Sequence, residues 1–403
     1  MTRSLYICYF GLREPLVQTQ VLPYLRELAK SGAAIFLLTF EAQRWDQAQA
    51  REQLRADGIE WFASRYHKRP TVPATLFDIL AGALRAIWIV RRNGIGIIHA
   101  RSHVPALMGA IAKRFTRAKL LFDIRGLMAD EYAESGNWRA DGWLYRVAKR
   151  VERFLLRTSD AFVVLTDRAR AELFANEAKP VAVIPCCIDP ARFAGVVRAS
   201  GSPAGGGSEG APEARTTPIV IVYVGSLGHT YMPREMAEFF AAAKAADARV
   251  FPLILTQSRP ELIREHLAAF GFASDEYRVG FASAAELPSH LAASDIAISF
   301  VRPGYSKLAS SPTKFAEYLA CGLPVISTRG IGDLDAQIAN ARAGVLLDGL
   351  DRASYRRAFE AVQELRRDEA LPRRCRALAM SEYDLHAVGG ARYARIYARL
   401  QER

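Results

Sequence analysis

Short apolar runs recur along the chain, and several are followed by stretches in which apolar positions return every three or four residues. LYICYF (5–10), AIFLLTF (34–40), IGIIHA (95–100), KLLFDIRG (119–126), AFVVLT (161–166) and VAVIP (181–185) read as strands. The intervening TQVLPYLRELAKSG (19–32), VPALMGAIAKRF (104–115) and RARAELFA (168–175) read as amphipathic helices. A second series follows with PIVIVYVGSL (218–227), RVFPLILT (249–256), YRVGF (277–281), DIAISF (295–300) and PVIST (324–328). Near-continuous apolar strands alternating with helices predict parallel sheets covered on both faces. Between the two series, residues 198–217 are dominated by Gly, Ser, Pro and Ala, a composition that builds no core and reads as a flexible linker.

The expected organisation is therefore α/β with two doubly wound, Rossmann-like parallel-sheet domains, residues 1–197 and 218–385. A closing helix over 386–403 is left free to return to the first domain. Ligands of such sheets bind beyond the carboxyl ends of the strands, so two domains facing a cleft suit transfer from a donor to an acceptor.

Composition narrows the picture in three ways. The chain has 403 residues, 50% hydrophobic and 24% charged, as in soluble globular proteins. A net charge of +12 invites a phosphate-rich partner, although its arginines are spread through helices, and no nucleic-acid-binding motif accompanies them. Five cysteines without a CxxC pair form neither a disulfide framework nor a zinc site and suit a reducing cytoplasm. The N-terminus lacks the long apolar region of a cleavable signal. The most apolar window, 79–98, is interrupted by Arg85, Arg91 and Arg92, so no transmembrane helix is expected.

The chemistry concentrates in SSPTKFAEYLACGLPVIS (310–327). Ser310 or Ser311 can cap a helix, Pro312 suits its first position, and Lys314 adds positive charge, so this end attracts an anion. Glu317 stands one turn beyond Thr313 on the same face, about 6 Å along the helix. A phosphate at the tip with a carboxylate further in suits a nucleotide, whose ribose hydroxyls the carboxylate can accept.

Taken together, these segments resemble the family-4 glycosyltransferases of the two-domain GT-B fold, over nearly the whole chain outside the linker. The resemblance is strongest at 310–327, which is similar to the family's donor-binding helix. It implies that Glu317 holds the ribose while Ser311, Thr313 and Lys314 surround the diphosphate, with Ser310 and Pro312 as further donor-binding residues. YVGSLG, with Gly225 and Ser226, resembles the first loop of the family's C-terminal domain, whose amides approach the donor phosphates. VIPCCIDPARF (183–193) resembles the strand and turn that close its N-terminal domain.

HARSHVPALMGA, FDIRGLMADEY and QTQVLPYLRELAKSG resemble a bacterial surface-polysaccharide branch of the family. Arg13, Arg101, His103 and Asp123 are the acceptor-side candidates, and Arg125, Asp130, Glu131 and Lys314 the catalytic ones. A salt-bridged strand-to-helix turn is the alternative reading of the charges after FDIRG. Three positions depart from the family pattern: Ser226 and Tyr231 stand where a basic pair is usual, Ala309 replaces a first glutamate, and Arg125 replaces a histidine.

The resemblance implies transfer from a UDP- or GDP-sugar to a glycan or lipid-linked acceptor, with retention and without a dedicated base. For an inverting reaction, Asp130 or Glu131 is the candidate base. No cofactor or metal is expected, and Asp333 to Asp335 give only a short DxD match. A non-catalytic nucleotide-sugar-binding partner of another transferase, or a sugar-nucleotide epimerase of the same architecture, are the alternatives. The arginine-rich helix 143–157 admits either packing on the sheet or a peripheral position on an anionic inner-membrane face.

Overall fold

The computed structural model describes residues 2–195, 217–228 and 230–402. Nearly all of the linker expected at 198–217 therefore lies outside the described residues. The chain divides into two compact units, Met1–Cys187 with Tyr305–Ser311 and Leu385–Arg403, and Ile188–Gly304 with Pro312–Asp384.

The first unit is built on seven strands: β1 (Arg3–Cys8), β2 (Ala34–Glu41), β3 (Ile59–Arg65), β4 (Ile97–Arg101), β5 (Lys119–Asp123), β6 (Ala161–Val164) and β7 (Val181–Val183). They lie in the order β3-β2-β1-β4-β5-β6-β7, and every pair is parallel. The two-residue period of a strand sorts their side chains between two cores. Leu5 and Ile7 enter one, with residues of the helices Thr71–Asn93 and His103–Arg114. Tyr6 and Cys8 enter the other, with Leu22–Lys30 and the closing helix Ala391–Gln401. Tyr393, Ile396, Tyr397 and Leu400 supply that last helix's buried face at the spacing a helix requires. Its approach depends on Gly389, where a β-carbon would come within 2.7 Å of the Tyr24 ring.

Six further strands form the second unit: β8 (Ile219–Val224), β9 (Val250–Leu255), β10 (Arg278–Gly280), β11 (Ile296–Ser299), β12 (Val325–Ser327) and β13 (Gly344–Leu346). Their order, β10-β9-β8-β11-β12-β13, is again wholly parallel. It is the doubly wound arrangement in which connections leave in opposite directions on either side of β8 and β11.

Two boundaries differ from the compositional reading. Ile188–Phe193 groups with the second unit, because Ile188 N donates to Tyr383 O at 2.9 Å and Arg192 reaches Glu317 and Ala284. Tyr305–Ser311 groups with the first, where Leu308 and Ala309 enter the core and Thr166 Oγ1 donates to Leu308 O at 2.6 Å.

Candidate active site

In the second unit, the chemistry gathers at the carboxyl end of β8, beside the switch in strand order. Gly225 follows β8 with φ of +134°, a conformation that favours glycine. A β-carbon at Gly225 would stand 2.7 Å from Lys314 Nζ, so glycine is what lets the ammonium lie against this loop. Lys314 belongs to the first turn of the helix Thr313–Ala320 and is buried. Its Nζ donates to Tyr223 Oη at 3.1 Å and sits over the rings of Tyr223 and Tyr231, at 4.2 and 4.3 Å from their centroids. Two aromatic faces stabilise a cation but carry no net charge. Burial consequently pushes the Lys314 ammonium down to about 7, against the opposing pull of Glu317.

Glu317, one turn on, is also buried. Burial pushes its carboxyl up to about 7, although Arg192, with Nη1 at 3.5 Å from Oε1, and Lys314 both favour the ionised form. The neighbouring Tyr318 locks the helix to the sheet, its hydroxyl accepting from Val224 N at 2.7 Å.

The helix start differs from its expected form. Pro312 is the N-cap, rather than the first helical residue, and no side chain caps the helix. Ser311 Oγ accepts from Cys186 N at 3.1 Å, and both Ser310 and Ser311 group with the first unit. The first-turn amides of Thr313–Ala320 are thus left without a side-chain acceptor. Gly225, Ser226, Pro312, Thr313, Lys314 and Glu317 all belong to the second unit. The Ser226 carbonyl accepts from Tyr223 Oη at 2.6 Å, which holds the loop. Tyr231, where a basic residue is usual in the resembled family, provides one of the two rings under Lys314.

In the first unit, the candidates divide into two clusters. Asp123 ends β5 fully buried and accepts from Tyr393 Oη at 3.0 Å. Arg125 Nη1 lies at 3.6 Å, His99 Nε2 at 3.5 Å and Arg101 Nη1 at 3.9 Å from its carboxylate. Burial alone would raise the Asp123 carboxyl, but Arg125, His99 and Arg101 outweigh it and hold it well below the usual carboxylate range. Arg125 spends one Nη2 contact on Cys186 Sγ, while its Nε and Nη1 have no hydrogen-bond partner. Burial lowers the His99 imidazole, against the opposing pull of Asp123.

The other cluster engages Asp130 and His103. Tyr145 Oη and Lys149 Nζ donate to the two Asp130 oxygens at 2.8 and 3.0 Å. Lys149 also donates to Glu152 at 2.7 Å, and His103 Nε2 stands 3.6 Å from Glu152. Asp130 is therefore held as the centre of an ion-paired turn. Glu131 is less committed: its carboxyl is raised by burial, with Lys307 Nζ at 3.9 Å opposing. Arg13 is exposed after β1, with its guanidinium 5.4 Å from the Trp45 ring centroid. Ala309 is buried in the core of this unit.

Sequence reasoning did not single out Arg192, Tyr223 or Tyr393. Arg192 had a local signal in the charged DPARF turn; the two tyrosines are visible only once strands and helices pack. Arg259 and Arg302, also in the second unit, are exposed. Among the described residues, no group of three or more His, Cys, Asp or Glu side chains is placed to hold a metal ion. Both Asp335 oxygens accept from Gly330 N at 3.1 Å.

Comparison with known proteins matches residues 17–187 to the model of a "glycosyl transferase 4-like domain" and residues 218–364 to "glycosyl transferases group 1". No curated protein sequence matches. Among solved structures, a glycosyltransferase from Rickettsia africae is similar with a TM-score of 0.70 and 13% identity, over 100% of this chain and 99% of that one. Sucrose-phosphate synthase from Thermosynechococcus elongatus gives a TM-score of 0.70 and 14% identity, over 100% of both chains. Anabaena HepE in complex with UDP-glucose gives 0.62 and 13% identity, over 100% and 99%. At such identities the likeness is one of fold.

Proposed function

The chain belongs to the family-4-type glycosyltransferases of the GT-B fold, and from that premise we propose that it transfers a sugar from a UDP- or GDP-sugar to a glycan or lipid-linked acceptor of a bacterial surface polysaccharide. The observation that carries the donor assignment is Lys314, a buried ammonium on two aromatic faces that forms no ion pair among the described residues. A diphosphate beside it would supply the missing counter-charge, and the uncapped amides of Thr313–Ala320 add to the attraction. Glu317 is positioned as ribose acceptor. HepE, crystallised with UDP-glucose, supports a nucleotide sugar as the donor class.

Retention without metal is the mechanism we favour: the leaving diphosphate can take the acceptor's proton, and the fixed cation and amides stabilise its charge. Five buried, unpaired thiols support a reducing, cytoplasmic setting. The direct test is a panel of UDP- and GDP-sugars read by thermal shift and by released nucleotide diphosphate. One donor should both stabilise the protein and turn over with acceptor; a panel in which no nucleotide sugar does either would overturn the assignment.

Proton linkage gives a second test. At pH 8.5, Lys314 is mainly neutral before a diphosphate restores its charge, so UDP or GDP binding should take up close to one proton. At pH 6, Glu317 is mainly protonated and must ionise to accept ribose hydroxyls, so the sign reverses to release. Calorimetry in buffers of different ionisation enthalpy reads both. Binding enthalpy independent of buffer at pH 8.5 would contradict the role of Lys314.

A further inference from the structure

The helix Thr71–Asn93 turns one side to the core and leaves the other uncovered. Ala74, Ile79, Ala83, Ala86, Ile89 and Val90 are buried, and a β-carbon at Gly82 would come within 2.7 Å of Met108 Sδ. On the outer side, Val72, Leu76, Leu80, Leu84 and Trp88 recur every four residues with Phe77 beside them, each between 42% and 69% exposed. A continuous apolar stripe of this length is unusual on a surface that faces only water.

The charges around the stripe have one sign. Lys68 and Arg69 precede it, and Arg85, Arg91 and Arg92 stand at its far end, all exposed or nearly so. None of the five forms an ion pair among the described residues. The helix's single carboxylate, Asp78, is withdrawn into the interior, where it accepts from Tyr9 Oη at 2.7 Å and His67 N at 3.0 Å. Arg85 and Arg92 hold their guanidinium groups 4.7 and 5.4 Å from the Trp88 ring centroid, which joins an amphipathic aromatic to cations at one end of the apolar band.

We infer that this face docks the protein on an anionic lipid bilayer, with the helix lying in the plane of the interface. The apolar stripe supplies insertion into the boundary between headgroups and acyl chains, and cations at both ends meet anionic headgroups. The helix is long and apolar enough to span a bilayer by length and composition. Its inner side, however, is part of the core that supports β1 and β4, and a spanning arrangement would have to strip that core. The arginine-rich helix Trp143–Thr158 exposes fewer apolar side chains, Trp143, Val147 and Phe154, interspersed with Arg146, Arg150 and Arg153. It is the weaker surface.

The test uses the full chain and sedimentation with vesicles of phosphatidylcholine, with or without phosphatidylglycerol. Wild type should bind the anionic vesicles, and binding should weaken as salt is raised. Leu80→Glu with Leu84→Glu, both at exposed positions, should keep the wild-type melting temperature and bind at least about tenfold more weakly. Arg91→Ala and Arg92→Ala should each cost about fivefold on phosphatidylglycerol vesicles and little on neutral ones. Val147→Ser with Phe154→Ser should bind as wild type. Wild type that ignores anionic vesicles, or a Leu80→Glu/Leu84→Glu variant that binds normally, would overturn the inference. So would lipid-free ultracentrifugation in which wild type is a dimer and that variant a monomer, since the stripe would then join two copies of the chain.

Discussion

Asp123→Asn is expected to destabilise the first unit by about 3–5 kcal/mol, the range for removing one member of a buried ion pair. The substitution preserves size but leaves Arg101 and Arg125 buried without their counter-charge, with His99 and Tyr393 facing an amide in place of a carboxylate. All five tryptophans, Trp45, Trp61, Trp88, Trp138 and Trp143, lie in this unit, so tryptophan fluorescence in a urea titration follows its unfolding separately from that of the second. The pH dependence fixes the sign. Because the native carboxyl is held well below its ordinary value, its contribution is fully present above about pH 4 and is lost only as pH falls toward the native value. The difference between wild type and Asp123→Asn should therefore persist from pH 8 to pH 5 and shrink in stronger acid. A difference below about 1 kcal/mol at neutral pH would mean that solvent, rather than Asp123, compensates the two guanidinium groups.

This cluster also shows where the sequence ceased to be informative. The strands that carry it were legible because β1, β4, β5 and β6 are almost wholly buried and each contains an apolar run, LYIC, II, LLF and AFVV. β3, with alternating buried and exposed residues at its start, and the three-residue β13 gave too little contrast to stand out. Asp123 and Arg125 could be placed at a strand end from local sequence. Their partners come from distant stretches: His99 meets Asp123 only once β4 pairs with β5, and Tyr393 only when the closing helix packs on the sheet. On the donor side, Lys314 and Glu317 were legible because one helical turn relates them, an intrinsically local fact. Ser311 illustrates the opposite case: its sequence context offers a helix cap, but the Cys186 amide claims the hydroxyl, a competition between local and tertiary hydrogen bonds. Asp130 reads as an available base in isolation, whereas Tyr145 and Lys149, from the next helix, already occupy both its oxygens.

The same local pair yields the largest kinetic effect. If Lys314 carries the charge compensation that a basic pair shares in the resembled family, Lys314→Ala should lower turnover by about 10²–10³, the cost of removing one principal electrostatic stabiliser of a leaving group. Lys314→Arg should lose far less, since a guanidinium can also lie on the Tyr223 and Tyr231 faces. The pH profile separates charge from shape. In wild type, kcat/KM requires Glu317 ionised and Lys314 protonated in the free enzyme, and both groups titrate at about 7. The profile should be a narrow bell, falling about tenfold per unit on either side. In Lys314→Arg the alkaline limb should vanish, because arginine stays protonated throughout, while the acid limb set by Glu317 remains. Excess chelator should leave wild-type turnover unchanged if amides and Lys314 alone meet the diphosphate. A wild-type profile flat from pH 6 to pH 9 would remove Lys314 from this role. Activity abolished by EDTA and restored by magnesium or manganese would transfer the charge compensation to a metal ion.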